Sequence, residues 1–159
     1  AEPETLLRDK DRKYQQARKT AKRYLLPGAA EFLDSVKAQN LPMAIGSLTR
    51  DKFAWNIIES ANLKKYFLEE RIVLASHVEH LKPAPDVYIE TAKRLSVSPT
   101  EQLVFEDSAR GVKAATAAGS PVIALPIYID LTKDALIASG ATQIFESWEE
   151  VNTNLPLSS

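Results

Sequence analysis

The chain predicts an α/β fold, a parallel sheet covered by helices on both faces, and three observations carry that expectation. From Pro27 onward, short apolar runs of strand type alternate with amphipathic segments of about 10 to 15 residues, the order that builds parallel strands with crossover helices. Residues that start and stop helices mark the boundaries: Pro27-Gly28, Ser108, Gly119, Gly140 and Ser147. Of the 159 residues, 45% are hydrophobic and 26% charged, with nine Pro, five Gly and no Cys, a composition that suits one globular domain. A chain of that length buries roughly 70% of the surface its unfolded form exposes, so it needs no disulfide or structural metal.

Residues 1–24 hold eight basic side chains (Arg8, Lys10, Arg12, Lys13, Arg18, Lys19, Lys22, Arg23) against four acidic ones (Glu2, Glu4, Asp9, Asp11). Leu6, Leu7, Tyr14, Ala17 and Ala21 give them a thin apolar stripe, which predicts one helix with a solvated charged face. A basic arm for RNA is the sharper alternative, and the interleaved acids and scarce aromatics argue against it.

Pro27-Gly28 opens a helix carrying Phe32, Leu33 and Val36, with Asn40 near its end. Residues 41–46 read as a buried strand whose Pro42 stands at its start, where a missing N–H is tolerated. Thr49 is placed to cap a helix over about 50–61, with Phe53, Ile57, Ile58 and Ala61 inward. Residues 71–75 read as a strand and 86–95 as a helix with Val87, Ile89, Ala92 and Leu95 as its apolar positions. The strand at 102–105 leads through Ser108 into a helix of small residues stopped by Gly119. Residues 121–125 are a strand, 131–139 a helix stopped by Gly140, and 142–145 a last strand. Ser147 and Glu150 have capping-box spacing for a final helix.

Composition excludes several functions. Twenty Lys and Arg against 21 Asp and Glu give a net charge of -1, which removes the bulk electrostatic case for nucleic acid. No apolar run approaches the ~20 residues of a membrane span. Without Cys there is no thiolate zinc site or Cys nucleophile. The chain starts at Ala1, its single Met is Met43, and no secretory leader is visible. It is therefore expected to be processed or part of something longer, with a cytoplasmic location as the default.

Ligands of open α/β sheets bind beyond the carboxyl ends of the strands. Three polar segments fall there: Gly46-Ser47-Leu48-Thr49, Lys82-Pro83-Ala84-Pro85-Asp86, and Glu106-Asp107-Ser108. Alone, Ser47 or Thr49 is an ordinary helix cap and Lys82 an ordinary surface lysine. Adjacent carboxylates at a strand end are harder to dismiss, because they repel unless a cation or hydrogen-bond donors compensate. Mg²⁺, held by oxygen ligands, would do so, and the helix N-terminus after Ser108 could share the task. His77-Val78-Glu79-His80 lacks the i, i+4 spacing of a zinc helix and reads as a polar loop.

In order and context, these segments resemble the haloacid dehalogenase superfamily of phosphatases and phosphomutases over about 26–125. The specific pieces are Lys82-Pro83-Ala84-Pro85-Asp86-Val87-Tyr88, Val104-Phe105-Glu106-Asp107-Ser108, and Gly111 with Ala114-Ala115 through Gly119. They look like the group with a helical cap, which includes β-phosphoglucomutase. The resemblance implies a Rossmann-like three-layer α/β/α core over 25–159 lacking its first strand, with residues 1–24 left from the cap. It implies that Ser47 and Lys82 act on the transferring phosphoryl group of a small phosphorylated metabolite, with Thr49 beside them. Glu106 and Asp107 would hold Mg²⁺, and an aspartyl-phosphate would form.

The family's Asp-x-Asp-Gly motif, which supplies nucleophile and general acid, has no match. Asp9-Lys10-Asp11 copies its spacing only, in charged helical surroundings. The chain alone is therefore expected to be inactive, the missing strand coming from an N-terminal fragment or a strand-exchanged second copy. The alternatives are a non-catalytic phosphate- and metal-binding regulator, or an interaction module built on residues 1–24.

Overall fold

The computed structural model describes residues 25–126 and 132–155. The helix expected over 1–24, and Asp9-Lys10-Asp11 within it, lie outside them. In chain order the elements are α1 (Ala29–Ala38), β1 (Ile45–Gly46), α2 (Asp51–Ser60), β2 (Ile72–Val73), α3 (Asp86–Leu95), β3 (Val104–Glu106), α4 (Ala109–Ala118), β4 (Val122–Ala124), α5 (Lys133–Ala138), β5 (Gln143–Ile144) and α6 (Trp148–Asn154). Among the described residues every ladder is parallel. The strands form two sheets, β1-β2 and β3-β4-β5, and among the described residues no ladder joins β1 to β3.

Strand alternation sorts the core into layers. Val73, Val104, Val122 and Ala124 pack on one face with Val87 and Tyr88 of α3, Val112, Ala114 and Ala115 of α4, and Leu136 of α5. On the opposite face, Phe105, Ile123 and Leu125 meet Phe32 and Val36 of α1 and Val151 of α6. Ile45, Ile72 and Leu74 meet Ala54 and Ile58 of α2. Both sheets thus share the α3–α4 layer, and helices cover both faces, as the sequence predicts. Among the described residues no helix is long and apolar enough to cross a membrane.

The caps explain where the helices lie. Ser108 Oγ accepts from the Gly111 N–H at 3.1 Å, and Gly119 ends α4 at φ +85°. Ser147 Oγ accepts from the Glu150 N–H, while Glu150 takes the Glu146 N–H rather than that of the cap, so only half of the capping box forms. Other expectations need correction. The strand over 41–46 is paired only at Ile45–Gly46, because β2 offers a two-residue partner. Arg50, not Thr49, stands at the N-cap of α2 and makes no side-chain cap bond. The inward face of α2 is Ala54 and Ile58, with Phe53 and Ile57 half-buried. In α3 the buried positions are Val87, Tyr88, Thr91 and Ala92, whereas Ile89 is 48% exposed. Tertiary docking set that rotation.

Gly28 joins the ends of the chain. It opens α1 at φ +80°, and a Cβ there would stand 2.6 Å from the Glu149 N and 2.8 Å from the Trp148 carbonyl carbon, both backbone atoms. Its carbonyl accepts from Asn152 Nδ2 at 2.9 Å. Gly28→Ala should therefore destabilise the fold by about 1–3 kcal/mol, read as a lower urea midpoint.

Candidate functional site

The site stands at the carboxyl ends of β1 and β3. Glu106 is the last residue of β3, and its side chain is 6% exposed. Lys82 arrives from the loop between β2 and α3. That loop is closed by Asp86, whose Oδ2 accepts from the His80 N–H at 3.0 Å and lies 3.1 Å from His80 Nδ1. The His80 backbone N–H is the main cause holding the Asp86 carboxyl below its usual range. The Lys82–Pro83 peptide is cis, and Arg110 donates to the Lys82 carbonyl.

The Lys82 ammonium donates to Glu106 Oε1, to the Tyr88 hydroxyl at 2.9 Å and to the Gly46 carbonyl at 3.5 Å. Tyr88 in turn donates to Glu106 Oε1. The other carboxylate oxygen, Oε2, accepts from the Asp107 N–H at 3.2 Å and Ser108 Oγ at 3.3 Å. Burial first, and then the negative Glu106, push ionisation of the Tyr88 phenol well above its usual range. The same two causes, in the same order, raise the Asp107 carboxyl. The compensation required by the acidic pair thus reaches Glu106 through four donors, while Asp107 is left with an unfavourable charge.

Lys82 and Glu106 are in direct contact. Ser47 stands one residue past Gly46, its N–H on the Val73 carbonyl and its Oγ accepting from the Thr49 N–H at 3.2 Å. Hydroxyl, ammonium and carboxylates therefore share one rim. His77 Nδ1 accepts from the Leu74 N–H at 2.9 Å, and His80 faces Asp86, so both imidazoles serve the loop. Among the described residues no group of three or more His, Asp or Glu is placed to hold a metal.

Two residues central to this geometry were not visible as such in the sequence. Tyr88 stood in the sequence only as the last residue of the 82–88 segment, with no role of its own. Gly111 read as a small residue for close packing, yet a Cβ on it would stand 1.9–2.2 Å from the Glu106 carboxylate atoms. Their signal was spacing: Tyr88 shares a helical face with Thr91 and Ala92, and Gly111 is the N3 position of the helix that Ser108 caps.

The family model described as haloacid dehalogenase-like hydrolase matches residues 2–125. The chain belongs to that family. Its relatives include the fructose-1-phosphate phosphatase YqaB of Escherichia coli, 40% identical over 52% of this chain and 43% of that protein. A phosphorylated carbohydrates phosphatase of Thermotoga maritima is 32% identical over 79% of this chain and 57% of that protein. The chain thus spans about half the length of these curated relatives. A crystal structure of a HAD family hydrolase from Deinococcus radiodurans, with bound phosphate and sodium, superposes with a TM-score of 0.74 at 30% identity. That match covers 82% of this chain and 58% of the other.

Two outcomes test the site of this haloacid dehalogenase-like chain. Helix propensity alone would make Gly111→Ala more stable by roughly 1 kcal/mol. The overlap with Glu106 should reverse that sign and cost about 1–3 kcal/mol in chemical denaturation. For Asp107, a folded-state pKa above the unfolded one means its stability contribution holds below the carboxylate range and is lost as pH rises through the folded value. With chelator present, Asp107→Asn should therefore melt above wild type at pH 7. The gain should vanish as the pH falls toward about 3.5.

Proposed function

We propose that this chain is the greater part of a Mg²⁺-dependent phosphatase or phosphomutase core for a small phosphorylated metabolite. The observation that carries the reading is the Lys82 ammonium, side chain 14% exposed, standing between the carboxyl end of β1 and the Glu106 carboxylate of β3. A fixed positive charge at that point suits a dianionic phosphoryl group. The relatives named as phosphatases of phosphorylated sugars support the substrate class.

In this reading Ser47 donates its hydroxyl proton to a phosphoryl oxygen, Thr49 holds the Ser47 oxygen through its N–H, and Lys82 offsets charge that builds on the phosphoryl group. Glu106 and Asp107 fit a hard divalent cation: both donors are carboxylates, adjacent at a strand end, and burial and the neighbouring Glu106 charge raise the Asp107 carboxyl. Mg²⁺ there would neutralise phosphoryl charge.

The nucleophile in this reading is an aspartate on a further strand between the β1 and β3 edges, whose polar groups among the described residues have no ladder with each other. That strand would come from an N-terminal fragment or a second copy. The aspartate oxygen bonds to phosphorus as the ester P–O bond breaks. The leaving oxygen takes a proton from a neighbouring acid, and water or a second substrate then accepts the phosphoryl group.

The 159-residue chain is expected to release no phosphate from p-nitrophenyl phosphate with Mg²⁺, yet to bind inorganic phosphate in calorimetry. Lys82→Ala should weaken that binding about tenfold or more. Turnover by a sample of this mass would overturn the external nucleophile. Phosphate affinity indifferent to Lys82 would overturn the site.

A further inference from the structure

Lys82 carries three N–H protons and no acceptor, and three partners take them: Gly46 O, Tyr88 Oη and Glu106 Oε1. The site as it stands is closed on itself. An incoming phosphate can gain a hydrogen bond from this ammonium only if one of those partners lets go. Glu106 is the one whose departure a cation would favour, because it is a carboxylate that a cation attracts.

Tyr88 fixes this arrangement. The ammonium can only donate and the carboxylate can only accept, so the hydroxyl between them accepts from Lys82 and donates to Glu106. It can relay between the two in that direction alone. Tyr88 is 5% exposed, and the ammonium stands 4.8 Å from its ring centroid. Its backbone is pinned as well: the Tyr88 carbonyl accepts from Gln102 Nε2 at 2.7 Å and Thr91 Oγ1 at 3.0 Å, and Gln102 is itself held by Ser120 Oγ at 2.9 Å. A hydroxyl that only filled a core gap would need none of this alignment.

We propose that Tyr88 is a positioning residue that acts through Lys82 and Glu106 and makes phosphate binding depend on the cation. It holds the ammonium and the carboxylate together until a cation draws the carboxylate away. The proposal rests on the reading of this rim as a phosphate and cation site. Coupling is reciprocal, so phosphate should tighten the cation by the same factor.

The test compares wild type with Tyr88→Phe, which keeps the ring and removes the hydroxyl. Calorimetry gives the inorganic phosphate affinity with and without Mg²⁺. In wild type the cation should strengthen phosphate binding about 5-fold or more. In Tyr88→Phe that ratio should fall about threefold or more, because one ammonium proton is already released. Direct attraction between the two ions is common to both proteins, so the difference reports the hydroxyl.

A second measurement needs neither ligand. The ¹⁵N–¹H signal of the Lys82 ammonium, identified by its loss in Lys82→Met, should be sharp in wild type and broadened in Tyr88→Phe at a melting temperature within about 3 °C. Should the Phe variant fail to fold, the wild-type signal decides: phosphate should shift it strongly only with Mg²⁺ present, and an equal shift without Mg²⁺ overturns the proposal. Equal ratios and equal Lys82 signals in the two proteins also overturn it. Wild type that binds neither ion, with its Lys82 signal intact, overturns the functional reading and the coupling with it.

Discussion

A carboxylate at the end of a buried strand has to be neutralised where it stands, and around Glu106 the surrounding structure is arranged to do so. Its side chain and that of Lys82 are 6% and 14% exposed. Burying two charges costs several kcal/mol each before their attraction returns any of it, so the pair is a poor source of net stability. Removing one partner is another matter, at about 3–5 kcal/mol, because the survivor stays buried. The pair is thus a constraint that the fold must satisfy. The Asp86 closure of the loop, the Arg110 bond to the Lys82 carbonyl, the missing side chain at Gly111 and the Tyr88 hydroxyl all keep the two groups in register.

The same pair spans the interval between the two sheets. Among the described residues β1 and β3 share no ladder, but Lys82 touches the last carbonyl of β1 and the last side chain of β3. The α3–α4 layer supports both sheets, through Val73 of β2 and Val104 of β3. Among the described residues, connection is through side chains and helices, and the facing edges of β1 and β3 have no ladder with each other.

Much of the fold was legible locally. Helix α3 begins at Asp86 and ends at Leu95 as its sequence suggests, and Ser108, Gly119 and Gly140 stand at the helix ends they mark. Such signals depend on a residue's own φ preference or on a bond three positions away, so they survive without tertiary context. Strand lengths did not read out, because a strand is only as long as its neighbour allows; an apolar run at 41–44 without a partner makes no ladder. The inner face of α3 was misjudged at Ile89 for a related reason. Periodicity gives the width of an apolar stripe, and packing against the sheet chooses its rotation.

The sequence by itself determined the α/β alternation, most of the helix ends, and which polar segments reach the carboxyl ends of strands, all properties of short windows of chain. Tertiary structure alone decided that Lys82 would meet Glu106 rather than water. It also decided that the Tyr88 hydroxyl would bond to both and that Gly111 would yield its side-chain volume to a carboxylate. The physical reason is distance along the chain: Lys82 lies 36 residues from Gly46 and 24 from Glu106. Contacts over such separations have no local signature and exist only once the layers have closed around them.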